Sequence, residues 1–405
     1  MLYELHELQH AALSPFMFWA QAGVGLFSSP YSALSYAPFS RNMAAGYELM
    51  IRLGKRYEKP EFGLTETKVD GKTVAVSEVI AIDKPFCQLL HFKRDTDRKD
   101  PIVLIVAPLS GHHATLLRDT VRAMLPDFDV YITDWADAKM VPLSKGAFHF
   151  DDYVNYVREF ITFLGPRINL VSVCQPTVPV LAAVSLMASD KDPYVPRTMT
   201  MMGGPIDTRK SPTSVNAFAT KHPFSWFENK VIQRVPAKYP GYMRRVYPGF
   251  LQYTGFVAMN PDRHVNSHWD FYLDLVKGDG ESAEAHRRFY DEYNAVLDMP
   301  AEYYLDTIKV VFQEHRLPKG NLMVRGKPVL PETIQATALF TIEGELDDIS
   351  GSGQTQAAHE LCTGIPAAKR QHLTAAGAGH YGIFSGRRYR EEIYPQIRDF
   401  IHHYV

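Results

Sequence analysis

Apolar and polar residues follow three different rhythms along this chain. From Leu2 to Phe27 and from Arg41 to Tyr57 they recur at helix-compatible spacing, and a Pro, Tyr and Ser rich stretch from Ser28 to Ser40 separates the two pieces. From Glu66 the period drops to two. Thr67-Lys68-Val69 and Thr73-Val74-Ala75-Val76 flank Asp70-Gly71, a pair that tolerates positive φ and so predicts a tight hairpin, and Phe86 to Phe92 predicts a further strand.

Strands then alternate with helices. Ile102 to Ala107 predicts a buried strand, Ala114 to Met124 a helix, Asp129 to Thr133 a strand, and Asp151 to Leu164 a helix opened by two acids and closed by Gly165. Leu170 to Val173 and Thr198 to Met202 predict two more strands, the second ending in Gly203-Gly204-Pro205. Between Lys210 and Pro331 the alternation stops, and aromatic residues such as Phe218, Trp226, Tyr247, Phe256 and Trp269 appear at irregular spacing. It resumes with a strand over Thr337 to Glu343, a helix over Gln354 to Cys362, a strand over Gln371 to Ala375 and a terminal helix over Arg387 to His402.

Such alternation implies a mostly parallel sheet covered by helices on both faces. Where Leu170-Val171-Ser172-Val173 runs into Cys174-Gln175-Pro176-Thr177, an apolar strand ends at one thiol and a helix pattern begins. That is the strand-to-helix turn on which α/β-hydrolases expose a nucleophile, with sulfur in place of the usual serine oxygen. The predicted fold is therefore an α/β-hydrolase with a mostly parallel central sheet and a mainly helical inserted cap. Residues 1–60 form an N-terminal helical segment, 61–209 and 332–405 the core, and 210–331 the cap.

Two downstream residues complete a triad in the chain order of that fold. Asp347 follows a buried strand in the acidic turn Gly344-Glu345-Leu346-Asp347-Asp348-Ile349, and His380 lies in the glycine-rich Gly377-Ala378-Gly379-His380 before the last helix. His380 would take the Cys174 proton, and Asp347 would orient the imidazole. Asp348 is the second candidate acid and Asp207 the third. The backbone N–H of Gln175, at the start of the next helix, is the first expected oxyanion donor. The second is expected from the Pro108-Leu109-Ser110-Gly111 bend, first Leu109 and then Ser110.

Each residue has a plainer reading. A cysteine in an apolar run is commonly a small buried hydrophobe, Asp347-Asp348 could cap a helix, and a histidine among glycines commonly sits on a surface loop. Their joint occurrence in fold order favours chemistry. His112-His113 does not match a metal motif, because adjacent histidines seldom share one ion and no H-E-x-x-H or C-x-x-C spacing occurs; no metal and no cofactor is expected.

Composition narrows the class. The chain has 405 residues, 46% of them hydrophobic, enough for a large core, and a net charge of -2 offers no reason to expect nucleic acid or an anionic membrane as partner. Three cysteines at wide spacing, Cys87, Cys174 and Cys362, suit a reducing compartment. The apolar stretch Pro15 to Phe27 lacks a cationic flank and is too short to span a bilayer, so a cytoplasmic protein without a membrane span is expected.

Several segments together resemble one family: Leu2 to Leu53, Val106-Ala107-Pro108-Leu109-Ser110-Gly111-His112, Thr133-Asp134-Trp135, Val173 to Pro179, Pro300 to Leu305, Gly344 to Ile349 and Gly377 to His380. Over nearly its whole length the chain is similar to intracellular poly(3-hydroxybutyrate) depolymerases. It is similar more weakly to polyhydroxyalkanoate synthases, whose cysteine is glycine-flanked where this chain has Ser172 and Pro176. The resemblance implies amorphous storage polyester on a cytoplasmic granule as partner, and cleavage through an acyl-Cys174 thioester to 3-hydroxybutyrate and oligomers. A synthase-like or thiolytic acyltransferase would use the same triad, and a non-catalytic granule-coat protein would use only the aromatic surfaces. Oligomeric state stays open, with a homo-oligomer allowed.

Overall fold

The computed structural model describes residues 2–259 and 261–404. Its core is one sheet of nine strands: β1 (Glu66–Val69), β2 (Lys72–Lys84), β3 (Cys87–Arg94), β4 (Ile102–Val106), β5 (Asp129–Trp135), β6 (Asn169–Val173), β7 (Thr198–Met202), β8 (Ala338–Gly344) and β9 (Arg370–Ala375). Across the sheet they run β1-β2-β3-β5-β4-β6-β7-β8-β9. β1 is the hairpin partner of β2, with Asp70 and Gly71 both at positive φ. The other eight have the α/β-hydrolase order, with β3 antiparallel to both neighbours and every pair from β5 to β9 parallel.

β6 lies between β4 and β7 and every one of its residues is buried, as in β7 and β8, which explains why the three are mostly apolar without a period of two. Register then places the site. Val173 pairs with Met202, Met202 with Ile342, and Gly344 with Ala375. Cys174, Gly203, Asp347 and His380 therefore all leave one carboxyl edge.

The N-terminal helices α1 (Leu2–Ser28) and α2 (Ser40–Gly54) form a hairpin on the core and cap. It is pinned by Tyr3 Oη donating to Asp298 Oδ2 at 2.6 Å, Arg52 to Asp291 at 2.9 Å and Arg287 to Glu48 at 2.6 Å. In the core, α3 (Arg118–Met124), α4 (Phe150–Leu164) and α5 (Thr177–Ser189) follow β4, β5 and β6. α5 buries residues on every face because it sits against β6 and beneath α4.

Four elements differ from the sequence expectation. Residues 210–331 include short antiparallel strands, Gln233–Arg234, Arg245–Tyr247 and Met299–Pro300 in one sheet and Met323–Val324 with Lys327–Pro328 in another, which are too brief to print a period of two. The Gln354 to Cys362 helix shrinks to Ala358–Leu361. Its first turn is taken over by the buried Glu343 carboxylate, which accepts from the N–H groups of Gly353, Thr355 and Gln356 at 2.8, 2.7 and 2.9 Å. The Ala114 to Met124 helix opens with a 3-10 turn over Ala114–Leu117. The last helix regularises only over Tyr394–His403, after a wide turn at Tyr389–Ile393, where Pro395 has no N–H to donate.

Strand β7 and helix α5 cross without room for a side chain. A Cβ on Gly204 would lie 1.9 Å from Thr177 Oγ1 and 2.3 Å from Thr177 Cγ2, while the Gly204 N–H donates to Thr355 Oγ1 at 2.8 Å. Gly204→Ala is expected to destabilise the fold by about 1–3 kcal/mol, the usual cost of overpacking. A lowered urea midpoint at unchanged slope would register it, and a wild-type midpoint would show that the crossing is loose.

Candidate active site

The turn at Cys174 is the strained point of the sheet. β6 must pass into α5 within three residues, and Cys174 reaches that reversal with φ +68°, in the left-handed region that favours glycine. Holding a non-glycine residue there costs on the order of 1–3 kcal/mol. The sheet supplies the restraint: Cys174 N–H donates to Met202 O at 2.7 Å, and its carbonyl accepts from Thr177 N–H at 3.2 Å. Ser172 is buried in β6 and donates to Thr200 O at 3.3 Å, so a small polar residue fits there.

His380 is buried, 5% exposed, and so is not the surface loop residue its glycine neighbours suggested. Its Nδ1 lies 2.8 Å from Asp347 Oδ2. The other oxygen, Asp347 Oδ1, accepts from the N–H groups of Ile349 and Ser350 at 2.9 and 2.8 Å. The carboxylate is thus satisfied on both sides, as a buried charge requires. Burial pushes the His380 pKa down, but the Asp347 charge, the Cys174 charge and hydrogen bonds to both residues outweigh it, and the imidazole is held well above its ordinary 6.5. Nδ1 facing Asp347 leaves Nε2 for the sulfur.

Gly203 makes this pairing possible. It adopts φ +56°, and a Cβ there would lie 2.7 Å from Ile383 Cδ1, 3.2 Å from His380 Cε1 and 3.3 Å from Asp347 Oδ2. Asp348 is exposed. Asp207 is buried but engaged by Arg209, with Nε and Nη2 each at 2.8 Å. Among the three candidate acids, the one in contact with His380 is Asp347.

A cavity of about 230 Å³ opens above the sulfur, with Cys174, Gln175, Ser110 and His380 at its floor. Leu109 turns its side chain into the core, whereas Ser110 borders the cavity directly. The cap supplies an apolar roof that includes Phe218, Tyr247, Phe256, Tyr304, Ile308 and Phe312. Most of the other cap aromatics noted in the sequence lie elsewhere, including Trp226, stacked on His222, and Phe271, stacked on His286. His112 forms a wall: Nε2 meets Tyr293 O at 3.0 Å, its ring stacks on Phe256, and burial lowers its pKa to about 4, so it stays neutral. Burial lowers His113 to about 3.

A larger hollow, about 960 Å³, lies on the far side of the helix Gly249–Met259, beneath the N-terminal hairpin. Several of its charges are paired with one another, as in Lys59 with Asp134 and Lys139 with Asp137. The three thiols also differ. Cys87 and Cys362 are buried, and burial raises the first well above 9.0 and the second to about 12, so both stay protonated; Cys174 is only partly buried. This arrangement sets one thiol beside an imidazole whose positive form is favoured, at the base of an apolar chamber.

Two contributors escaped the sequence reading. Glu343 organises the loop that carries Asp347, and an acid near the end of the mostly apolar strand Ala338–Gly344 was the available signal. Gly203 backs the His-Asp pair, and its signal was the Gly-Gly doublet at a strand end.

Because the folded-state pKa of His380 is raised, this pair adds stability that is fully present below about pH 6.5 and is lost as pH rises through the folded value. Asp347→Asn removes the main cause of that rise. The stability difference between wild type and Asp347→Asn, measured by denaturant titration, is expected to be largest near pH 6 and to narrow as pH rises. A gap that widens with pH would contradict the assigned pairing.

Comparison with known proteins follows the same lines. The poly(3-hydroxyalkanoate) polymerase subunit PhaC of Haloferax mediterranei is 22% identical over 324 residues, 77% of this chain, and the chain spans only 61% of that protein's length. Among solved structures, the Bacillus megaterium epoxide hydrolase aligns with 83% of this chain and 99% of its own at 12% identity and TM-score 0.47. The Paleococcus ferrophilus monoacylglycerol lipase aligns with 76% and 96% at 13% identity and TM-score 0.44. A family model described as PHB de-polymerase C-terminus matches residues 203–405, half of the chain, taking in the cap, Asp347 and His380. On that match the chain belongs to the PHB de-polymerase C-terminus family, on an α/β-hydrolase fold.

Proposed function

We propose that this chain hydrolyses the ester bonds of amorphous poly(3-hydroxybutyrate) storage polyester in the cytoplasm, through an acyl-thioester on Cys174. The observation that carries the reading is His380 set between Asp347 and Cys174 at the floor of an apolar cavity, in a chain of this family. The Cys174 thiolate attacks the ester carbonyl carbon, and the tetrahedral oxyanion is met by the N–H of Gln175 and one from the Leu109-Ser110 bend. The carbon–oxygen bond breaks as His380 gives its proton to the departing alkoxide, which leaves as a hydroxyl chain end. Water then attacks the thioester, His380 takes its proton, and the carbon–sulfur bond breaks to release the acid.

A second reading, transfer to a hydroxyl chain end or to the thiol of coenzyme A, draws on the similarity to the Haloferax polymerase subunit. The two differ in acceptor alone. Incubation with amorphous polymer, with and without coenzyme A, is expected to yield free 3-hydroxybutyrate and oligomers in both cases. Dominant acyl-coenzyme A, or polymer growth from acyl-thioester monomer, would favour transfer.

Cys174→Ala is expected to abolish polymer cleavage while the unfolding midpoint stays near wild type. Cys174→Ser is expected to lower kcat by about 10²-fold or more, since an alcohol is far less acidic than a thiol of pKa about 8.5. Full cleavage by Cys174→Ala would discard the nucleophile.

A further inference from the structure

The outer face of the N-terminal hairpin has no role in the site just described. Its inner side is pinned to the cap by Tyr3, Arg52 and Glu48. The outer side exposes Phe18 (81%), Tyr31 (98%) and Tyr36 (77%), along with Leu8, Trp19 and Phe39. Single exposed apolar residues are ordinary, but a cluster of projecting rings marks an interaction surface.

Charge says what kind of surface it meets. Between Glu7 and Arg41 the chain has no Asp, Glu, Lys or Arg. His10 is kept below its ordinary pKa by burial and then by the nearby Arg56, so this face is uncharged near neutral pH. Anionic lipid is attracted through Lys and Arg, which this stretch lacks. The rings also project from different elements, Phe18 and Trp19 from α1 and Tyr31, Tyr36 and Phe39 from the segment between α1 and α2. A rigid second copy would need matching recesses to bury them, whereas a deformable amorphous solid takes them as they stand.

On the cap, beside the start of α2, a further ring is exposed: Asn42 Nδ2 donates to Tyr272 Oη at 3.3 Å, and Tyr272 stacks on the exposed Trp269 at 5.4 Å.

We propose that the outer face of the α1–α2 hairpin, centred on Phe18, Tyr31 and Tyr36, docks the protein on the uncharged surface of amorphous polyester. The identity of that solid rests on the function proposed above. Docking by burial of rings, without ion pairs, keeps the cap and its cavity beside the polymer and is insensitive to salt.

The test uses full-length Cys174→Ala protein, which leaves polymer intact, and the same protein with Phe18→Ser, Tyr31→Ser and Tyr36→Ser. Both are sedimented with amorphous poly(3-hydroxybutyrate) particles, phosphatidylcholine vesicles and phosphatidylglycerol vesicles. The triple change is expected to weaken particle binding by more than about tenfold, at low and high salt alike. Tyr31→Asp alone, at a fully exposed position outside any helix, is expected to weaken it as well. In the Cys174 background the triple change should leave cleavage of a soluble short-chain ester unaltered. Equal particle binding by all forms would overturn the proposal. So would tighter binding to either vesicle than to polymer, or loss of a dimer on the triple change in light scattering. If Cys174→Ala binds particles through this face but the Cys174 enzyme releases no acid or oligomer, the proposed reaction falls and the docking surface stands.

Discussion

In the middle of the sheet, the chain at the end of β6 must reverse into α5 while both elements are fully buried. The reversal is met by placing Cys174 in the left-handed region and tying its N–H to Met202 O on the neighbouring strand. Several other features follow from that constraint. The helix must start close against β7, so Gly204 meets Thr177 without a Cβ between them. The residue beside the turn on β7 must also be bare, and Gly203 is. The strain is held by sheet hydrogen bonds, so the sulfur is raised above the carboxyl edge by parts of the molecule that cannot easily relax.

Electrostatics then distinguish one thiol from the other two. Cys87 and Cys362 are sealed in apolar surroundings that keep them protonated. Cys174 sits beside an imidazole whose positive form is favoured by Asp347, and Asp347 is held by two backbone N–H groups on a loop that Glu343 organises from below. Glu343 thus holds the far end of the loop, and Asp347 on that loop fixes the ring orientation of His380. Asp207 does not join it because Arg209 already occupies both of its oxygens.

The cap enters between β7 and β8, whose ends carry Gly203 and Asp347, so its insertion point is at the rim of the site. It contributes bulk and apolarity to the cavity roof. Exclusion of water strengthens every charge interaction beneath it. The N-terminal hairpin is pinned to the same cap through Tyr3 and Asp298, and burial and the nearby Asp137 push the Asp298 carboxyl up to about 7.

Local pattern was enough for the strands of the main sheet, because a strand buried on both faces is mostly apolar and a hairpin at Asp70-Gly71 needs two residues that accept positive φ. It also made Cys174, Asp347 and His380 the first candidates, since each ends or follows such a strand and their order along the chain is visible in one dimension. Short cap strands and the curtailed Gln354 helix were not legible. Two-residue strands carry no period, and the helix is lost because its first N–H groups donate to Glu343, which comes from a different element. Only the folded chain could decide which acid faces His380, which aromatics roof the cavity and which are core, and which rings remain in water. Those outcomes depend on strand register and on the packing of residues far apart in sequence, and neither leaves a trace in the spacing of the residues themselves.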